Sequence, residues 1–91
     1  MKRQGDLLII KIDNLPPNLE VDKDGVILRG ESSGHSHKLE GEGLVFKGGN
    51  KIFLRVDGNA KIVHEEHSPI KLTVGDYAII RQREYLSREE E

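Results

Sequence analysis

Leu44-Val45-Phe46-Lys47-Gly48-Gly49-Asn50-Lys51-Ile52-Phe53-Leu54-Arg55-Val56 sets two strand-length runs on either side of a glycine pair and an asparagine. Glycine and asparagine reach positive φ at low cost, so Gly48-Gly49-Asn50 is the strongest hairpin signal in the chain. Outward from this hairpin, no window keeps apolar residues at the three-and-four spacing of an amphipathic helix. Ten glycines and three prolines instead cut the chain into pieces of strand length. The fold class that follows is all-β.

The clearest remaining strand is Asp6 to Asp13. Its run Leu7-Leu8-Ile9-Ile10 is apolar on both faces and calls for a central or doubly covered position. Pairing stops at Asn14-Leu15-Pro16-Pro17-Asn18, because proline has no amide hydrogen to donate. Asp22-Lys23-Asp24-Gly25 reads as a turn before Val26-Ile27-Leu28. Gly30 to Gly34 reads as a loop, and His35 to Glu40 as the next strand. Gly41-Glu42-Gly43 and Asp57-Gly58-Asn59 read as two more turns, the second leading into Ala60 through His64. Ile70, Leu72 and Val74 alternate after Pro69, Gly75-Asp76 turns, and Tyr77 through Tyr85 forms a last strand.

Seven or eight short strands at this spacing predict a small barrel or sandwich, since one open sheet would leave long edges exposed. At 91 residues there is room for one domain. It is expected over residues 1–88, with Glu89-Glu90-Glu91 as a solvated acidic tail. A hydrophobic fraction of 35% and a mean hydropathy of -0.54 describe a lean core, small in itself or completed by assembly into a homo-oligomer.

No apolar run approaches the length of a membrane span, and the start of the chain shows no cleavage pattern, so a cytoplasmic protein is expected. Cysteine is absent, which removes disulfides and thiolate metal ligands. With a net charge of -2 and interleaved signs, no basic stripe is available to track a phosphate backbone, and nucleic acid is not the expected partner.

All four histidines fall into two tight pairs. Strand alternation places His35 and His37 on the same side as Leu39, and His64 on the same side as Ala60 and Ile62, so these three imidazoles should lean toward the core. His67 joins them if the chain turns at Ser68-Pro69. Glu66 shares the parity of His64 and is the alternative to His67, whereas Glu40 has the wrong parity unless a bulge shifts it. Imidazoles converging from separate strands suit a borderline divalent ion such as zinc, nickel, iron or copper, with manganese also to be tried.

The expected ligands are therefore His35, His37 and His64, completed by His67 or Glu66. A filled shell would be structural, and an open position would permit Lewis-acid chemistry. The competing reading is four exposed or singly hydrogen-bonded histidines in a glutamate-rich chain, and a pH-sensing cluster is a third. His64-Glu65-Glu66-His67 is not the zinc-protease motif, which spaces its histidines four apart on a helix.

Arg81, Arg83 and Tyr85 share one strand face that could clamp a carboxylate or phosphate, against the plainer reading of cross-strand ion pairs. On this face rests the alternative function, a non-enzymatic interaction or oligomerisation module without metal. Gly30 to Gly34 lacks the lysine and following helix of a phosphate loop. No serine or threonine has a neighbouring base that would mark a nucleophile, and neither enzyme class nor substrate is indicated.

Taken together, Arg3-Gln4-Gly5-Asp6, Gly34-His35-Ser36-His37, His64-Glu65-Glu66-His67-Ser68-Pro69-Ile70 and Arg81-Gln82-Arg83-Glu84-Tyr85 resemble a family of small, functionally uncharacterised proteins of bacterial, archaeal and phage genomes. The resemblance spans nearly the whole chain and implies no activity. Gly34, His35, His37 and Glu40 also echo the first motif of the cupins, and Pro69 with Gly75-Asp76 the turns around the second. That weaker resemblance implies a metal-holding β-barrel. Glu40 follows His37 more closely than the cupin glutamate does, however, and the chain is shorter than a full cupin barrel.

Overall fold

The structure is a computed structural model that describes residues 1–29 and 35–81. Among the described residues there is no helix, and eight strands form one antiparallel sheet: β1 (Lys2–Gln4), β2 (Leu7–Ile12), β3 (Glu20–Asp22), β4 (Val26–Arg29), β5 (Ser36–Gly48), β6 (Lys51–Val63), β7 (Ile70–Leu72) and β8 (Gly75–Arg81). The all-β expectation holds. The strand order is β1-β2-β8-β6-β5-β3, with β4 also on β5 and β7 also on β6.

The β5–β6 hairpin organises everything else. Gly48 pairs Lys51 across a two-residue turn. Gly49 alone of the two turn residues takes positive φ, at 62°, the pattern of a type II′ turn. Each arm is 13 residues long, not the pair of short strands expected on either side of Gly41-Glu42-Gly43 and of Asp57-Gly58-Asn59. Those two segments reverse nothing, because they lie opposite each other within the hairpin. Gly41 pairs Ala60 and Gly43 pairs Val56, so Glu42 alone faces Asp57, Gly58 and Asn59 in a bulge. A bulge bends and twists a strand without ending it.

The glycines there serve close approach. Gly41 has φ +102°, and any Cβ on it would press on the Asn59 carbonyl oxygen, while a Cβ on Gly43 would lie 2.8 Å from the Arg55 carbonyl oxygen.

On either side of the bulge, each arm takes different neighbours. The half near the turn carries β8 on Ile52–Val56 and β3 on Val45–Lys47. The other half carries β7 on Ala60–Ile62 and β4 on Ser36–Lys38. Side chains from both halves enter one core: Val45, Leu54 and Val56 from the first, Ala60, Ile62 and Leu72 from the second, with Leu7, Ile9, Ile27 and Tyr77. β2 lies between β1 and β8, and Leu7, Leu8 and Ile9 are all buried, as expected of a run apolar on both faces.

The barrel expectation, and with it the cupin-like fold, is corrected. The sheet does not close, and its ends are three-residue strands, β1 and β3, that do not pair with one another. β1 approaches β7, the end of β6 and the loop between them through side chains: Lys2 Nζ donates to the Lys71 carbonyl at 2.8 Å, and Gln4 Nε2 donates to the Ile62 and Ser68 carbonyls, each at 2.9 Å. Neither β1 nor β3 was legible as a strand, since each is too short to show a period. The Asp22–Gly25 turn forms as expected, with the Asp22 carboxylate accepting from the Asp24 amide at 3.0 Å. The expected loop at 30–34 and the acidic tail at 89–91 lie outside the described residues.

Candidate functional site: an imidazole cluster

β6 ends at Val63, and residues 64–69 form an irregular loop that folds back over the start of β5. A hydrogen bond and an ion-pair contact fasten it there. Glu65 Oε1 accepts from the Ser36 amide at 2.7 Å, and Glu66 Oε1 pairs with His35 Nδ1 at 2.9 Å. Because strand geometry stops at Val63, the alternation that aligned Glu66 with His64 does not reach this loop. Glu66 binds His35 at the surface, and Glu65, which sequence reasoning passed over, has its pKa lowered chiefly by the Ser36 N–H bond.

The four histidines come together. Ring centres lie 5.6 Å apart for His35 and His64, 4.4 Å for His37 and His64, 4.7 Å for His64 and His67, and 6.5 Å for His37 and His67. His37 is buried, His35 and His64 are half-buried and His67 is exposed, so the cluster grades from core to solvent. Glu40 is not part of it, being exposed on β5 opposite Lys61.

Hydrogen bonding fixes which nitrogen of each central ring carries the proton. Both hydrogens of the buried Gln4 amide go to main-chain carbonyls, so its Oε1, 2.8 Å from His37 Nδ1, must accept. Neutral His37 is thus protonated on Nδ1, and its unprotonated Nε2 lies 3.6 Å from Asp6 Oδ1. His64 is the opposite tautomer, because its Nδ1 accepts from the Glu66 amide at 3.0 Å and leaves the proton on Nε2. Among the described residues, no three His, Cys, Asp or Glu side chains are already gathered as ligands of one metal ion.

Sequence reasoning missed Gln4, Gly5 and Asp6. A Cβ on Gly5, where φ is +59°, would come within 2.7 Å of His67 Nε2, so the β1–β2 turn packs directly on that ring. No local pattern announces such a contact, which joins residues more than sixty positions apart. On β8, Arg81 pairs opposite Leu7, and its Nε is buried with no hydrogen-bond partner among the described residues. Arg83 and Tyr85, the rest of the expected clamp face, lie outside the described residues.

Burial, and then the neighbouring His64, push the His37 pKa below its usual 6.5, while Asp6 pulls the other way. The folded protein therefore binds this proton less readily than the unfolded chain does. Stability present above about pH 6.5 falls as pH drops toward the depressed folded value, and Glu65 adds a second loss below about 4.5. In chelator, the urea midpoint is expected to decline between about pH 7.5 and 5.5 in the wild type and to decline less in His37→Gln. Identical slopes for the two proteins would show that His37 is not the group responsible.

An open, antiparallel, all-β domain with an imidazole cluster on one side is thus the class that fold and site define. The chain belongs to the family described as Domain of unknown function (DUF8820), whose family model matches residues 3–82. That match fits the expected uncharacterised family and is silent on the paired-histidine blocks and the cupin likeness. Searches of curated proteins and of solved structures each gave no match.

Proposed function

We propose that this protein is a small β domain that binds one divalent metal ion at its histidine cluster. The observation that carries this reading is the grouping of His37, His64 and His67, from segments far apart in the chain, at ring-centre separations of 4.4 to 6.5 Å. Imidazoles sharing one tetrahedral ion through bonds of about 2.0–2.1 Å have ring centres roughly 5 Å apart. Since no three donors converge without the ion, binding includes rotation of one or more rings. The exposed His67 is the ring that faces solvent and can turn. Zinc, nickel, iron and copper match imidazole donors, and manganese becomes competitive where a carboxylate joins them.

Protein purified without a histidine tag is the material for the test. Addition of zinc, nickel or manganese at about 100 times the dissociation constant stabilises a single-site protein by about 2.7 kcal/mol. One of these ions is expected to raise the melting temperature to a saturating value with one equivalent bound. Unchanged melting with all of them, together with sub-stoichiometric metal in the isolated protein, would reject the proposal.

A further inference from the structure

We infer that the ion's first protein ligands are His37 Nε2, the Asp6 carboxylate and His67 Nε2, so that the site is a two-histidine, one-carboxylate centre completed by the β1–β2 turn and not a shell of imidazoles. The inference rests on the metal-binding reading above and goes further, naming a ligand to which the sequence pattern gave no role.

The first argument is tautomeric. A neutral imidazole can ligate only through its unprotonated nitrogen, and the nitrogen left over usually donates to an oxygen that fixes the ring. His37 has this arrangement: Nδ1–H is held by Gln4 Oε1, itself immobilised by two carbonyls, and Nε2 is the open lone pair. His64 has the reverse, since its Nδ1 is taken by the Glu66 amide.

The second argument is metric. His37 Nε2 and Asp6 Oδ1 stand 3.6 Å apart, too far for a good hydrogen bond. Two ligands bound at about 2.1 Å with a tetrahedral angle between them are separated by roughly 3.4 Å. The pair is therefore spaced to hold an ion between its members.

The third argument places His67. Its Nε2 lies against Gly5, the residue next to Asp6, in space that only a residue without a Cβ leaves free. The turn that carries Asp6 therefore also packs on His67, and because no three such donors are gathered among the described residues, the exposed His67 ring turns to join them when the ion binds.

Two nitrogens and one carboxylate leave coordination positions unfilled, as in open iron(II) sites that take water or a small anionic ligand. Asp6 and His67 are both exposed, so those positions face solvent.

Cobalt(II) is the probe, followed by its visible absorption and by calorimetry in the full untagged chain. Asp6→Ala and His67→Ala are expected to weaken cobalt binding by more than the roughly 10- to 100-fold typical of losing an outer-shell partner. His35→Gln and His64→Gln are expected to change it less than about tenfold. Asp6 is in an exposed turn, so its variant tests binding with little risk to folding, and metal-free melts check all four. Nitrogen-15 spectra of the wild-type imidazoles give an independent reading, in which zinc shifts Nε2 of His37 and His67. Wild-type affinity in Asp6→Ala with binding lost in His64→Gln would overturn the ligand assignment and leave the metal reading standing. No cobalt bound by the wild type would overturn both.

Discussion

Gly41→Ala is expected to unfold this protein more readily than any other single added methyl on a described glycine. The residue holds φ at +102°, which an L side chain seldom adopts, and the new Cβ would press on the Asn59 carbonyl oxygen and lie 2.9 Å from Ala60 Cα. Both obstacles are main chain of the facing strand, so no side chain can rotate away to relieve them. Backbone strain of this kind and overpacking each cost about 1–3 kcal/mol, and together a loss of at least about 3 kcal/mol is expected. For a domain of this size that lowers the melting temperature by roughly 12–24 °C.

Gly49→Ala is the control. It has similar backbone demands, with φ +62°, but nothing within 4 Å of the added carbon, and its cost should stay near 1 kcal/mol. Comparable losses in the two variants would show that the bulge relaxes, and that close approach of the hairpin arms does not set the bend.

The second large effect is expected at Ile62, which is 0% exposed and supplies the carbonyl that accepts from Gln4. Ile62→Ala empties part of the core beneath the histidine cluster and should cost about 3–4 kcal/mol, against about 1 kcal/mol for Ile62→Val. A chain of this length is stable by roughly 5–14 kcal/mol, so the alanine variant removes a substantial share. Because the core is continuous across both halves of the hairpin, urea unfolding should remain a single transition with an unchanged m-value. A second transition, or a loss from Ile62→Ala no greater than that from Ile62→Val, would contradict the one-core description.

The fold was partly legible because some of its signals are local. Gly48-Gly49-Asn50 makes its turn from the φ preferences of two residues, and Leu7 to Ile9 are buried because a run without polar alternation has no face to offer water. Gly41-Glu42-Gly43 misled because glycine serves two purposes with one sequence signature. It permits a chain reversal, and it permits close approach of another backbone, and only the partner strand decides between them. The open sheet was hidden for a related reason: β1 and β3 exist by pairing with β2 and β5, and three residues carry no period of their own.

The site divides in the same way. His35, His37, His64 and His67 could be singled out as residue types in pairs. The parity that aligned Glu66 with His64 did not hold beyond Val63, since alternation is a property of extended backbone and the loop after it is not extended. Gln4 and Asp6 stood only in the Arg3-Gln4-Gly5-Asp6 block of the family resemblance, with no role assigned, because an amide and a carboxylate gain meaning only from the atoms that face them.

What the sequence determined by itself was the β class, the hairpin and the imidazole pairs, each written in neighbouring residues whose preferences act over a few ångströms of chain. Tertiary structure alone decided that the hairpin bends as one unit, that the sheet stays open, and that the β1–β2 turn meets the histidines. These are contacts between residues tens of positions apart, and the free energy that selects them comes from burying a shared core and satisfying main-chain hydrogen bonds across it.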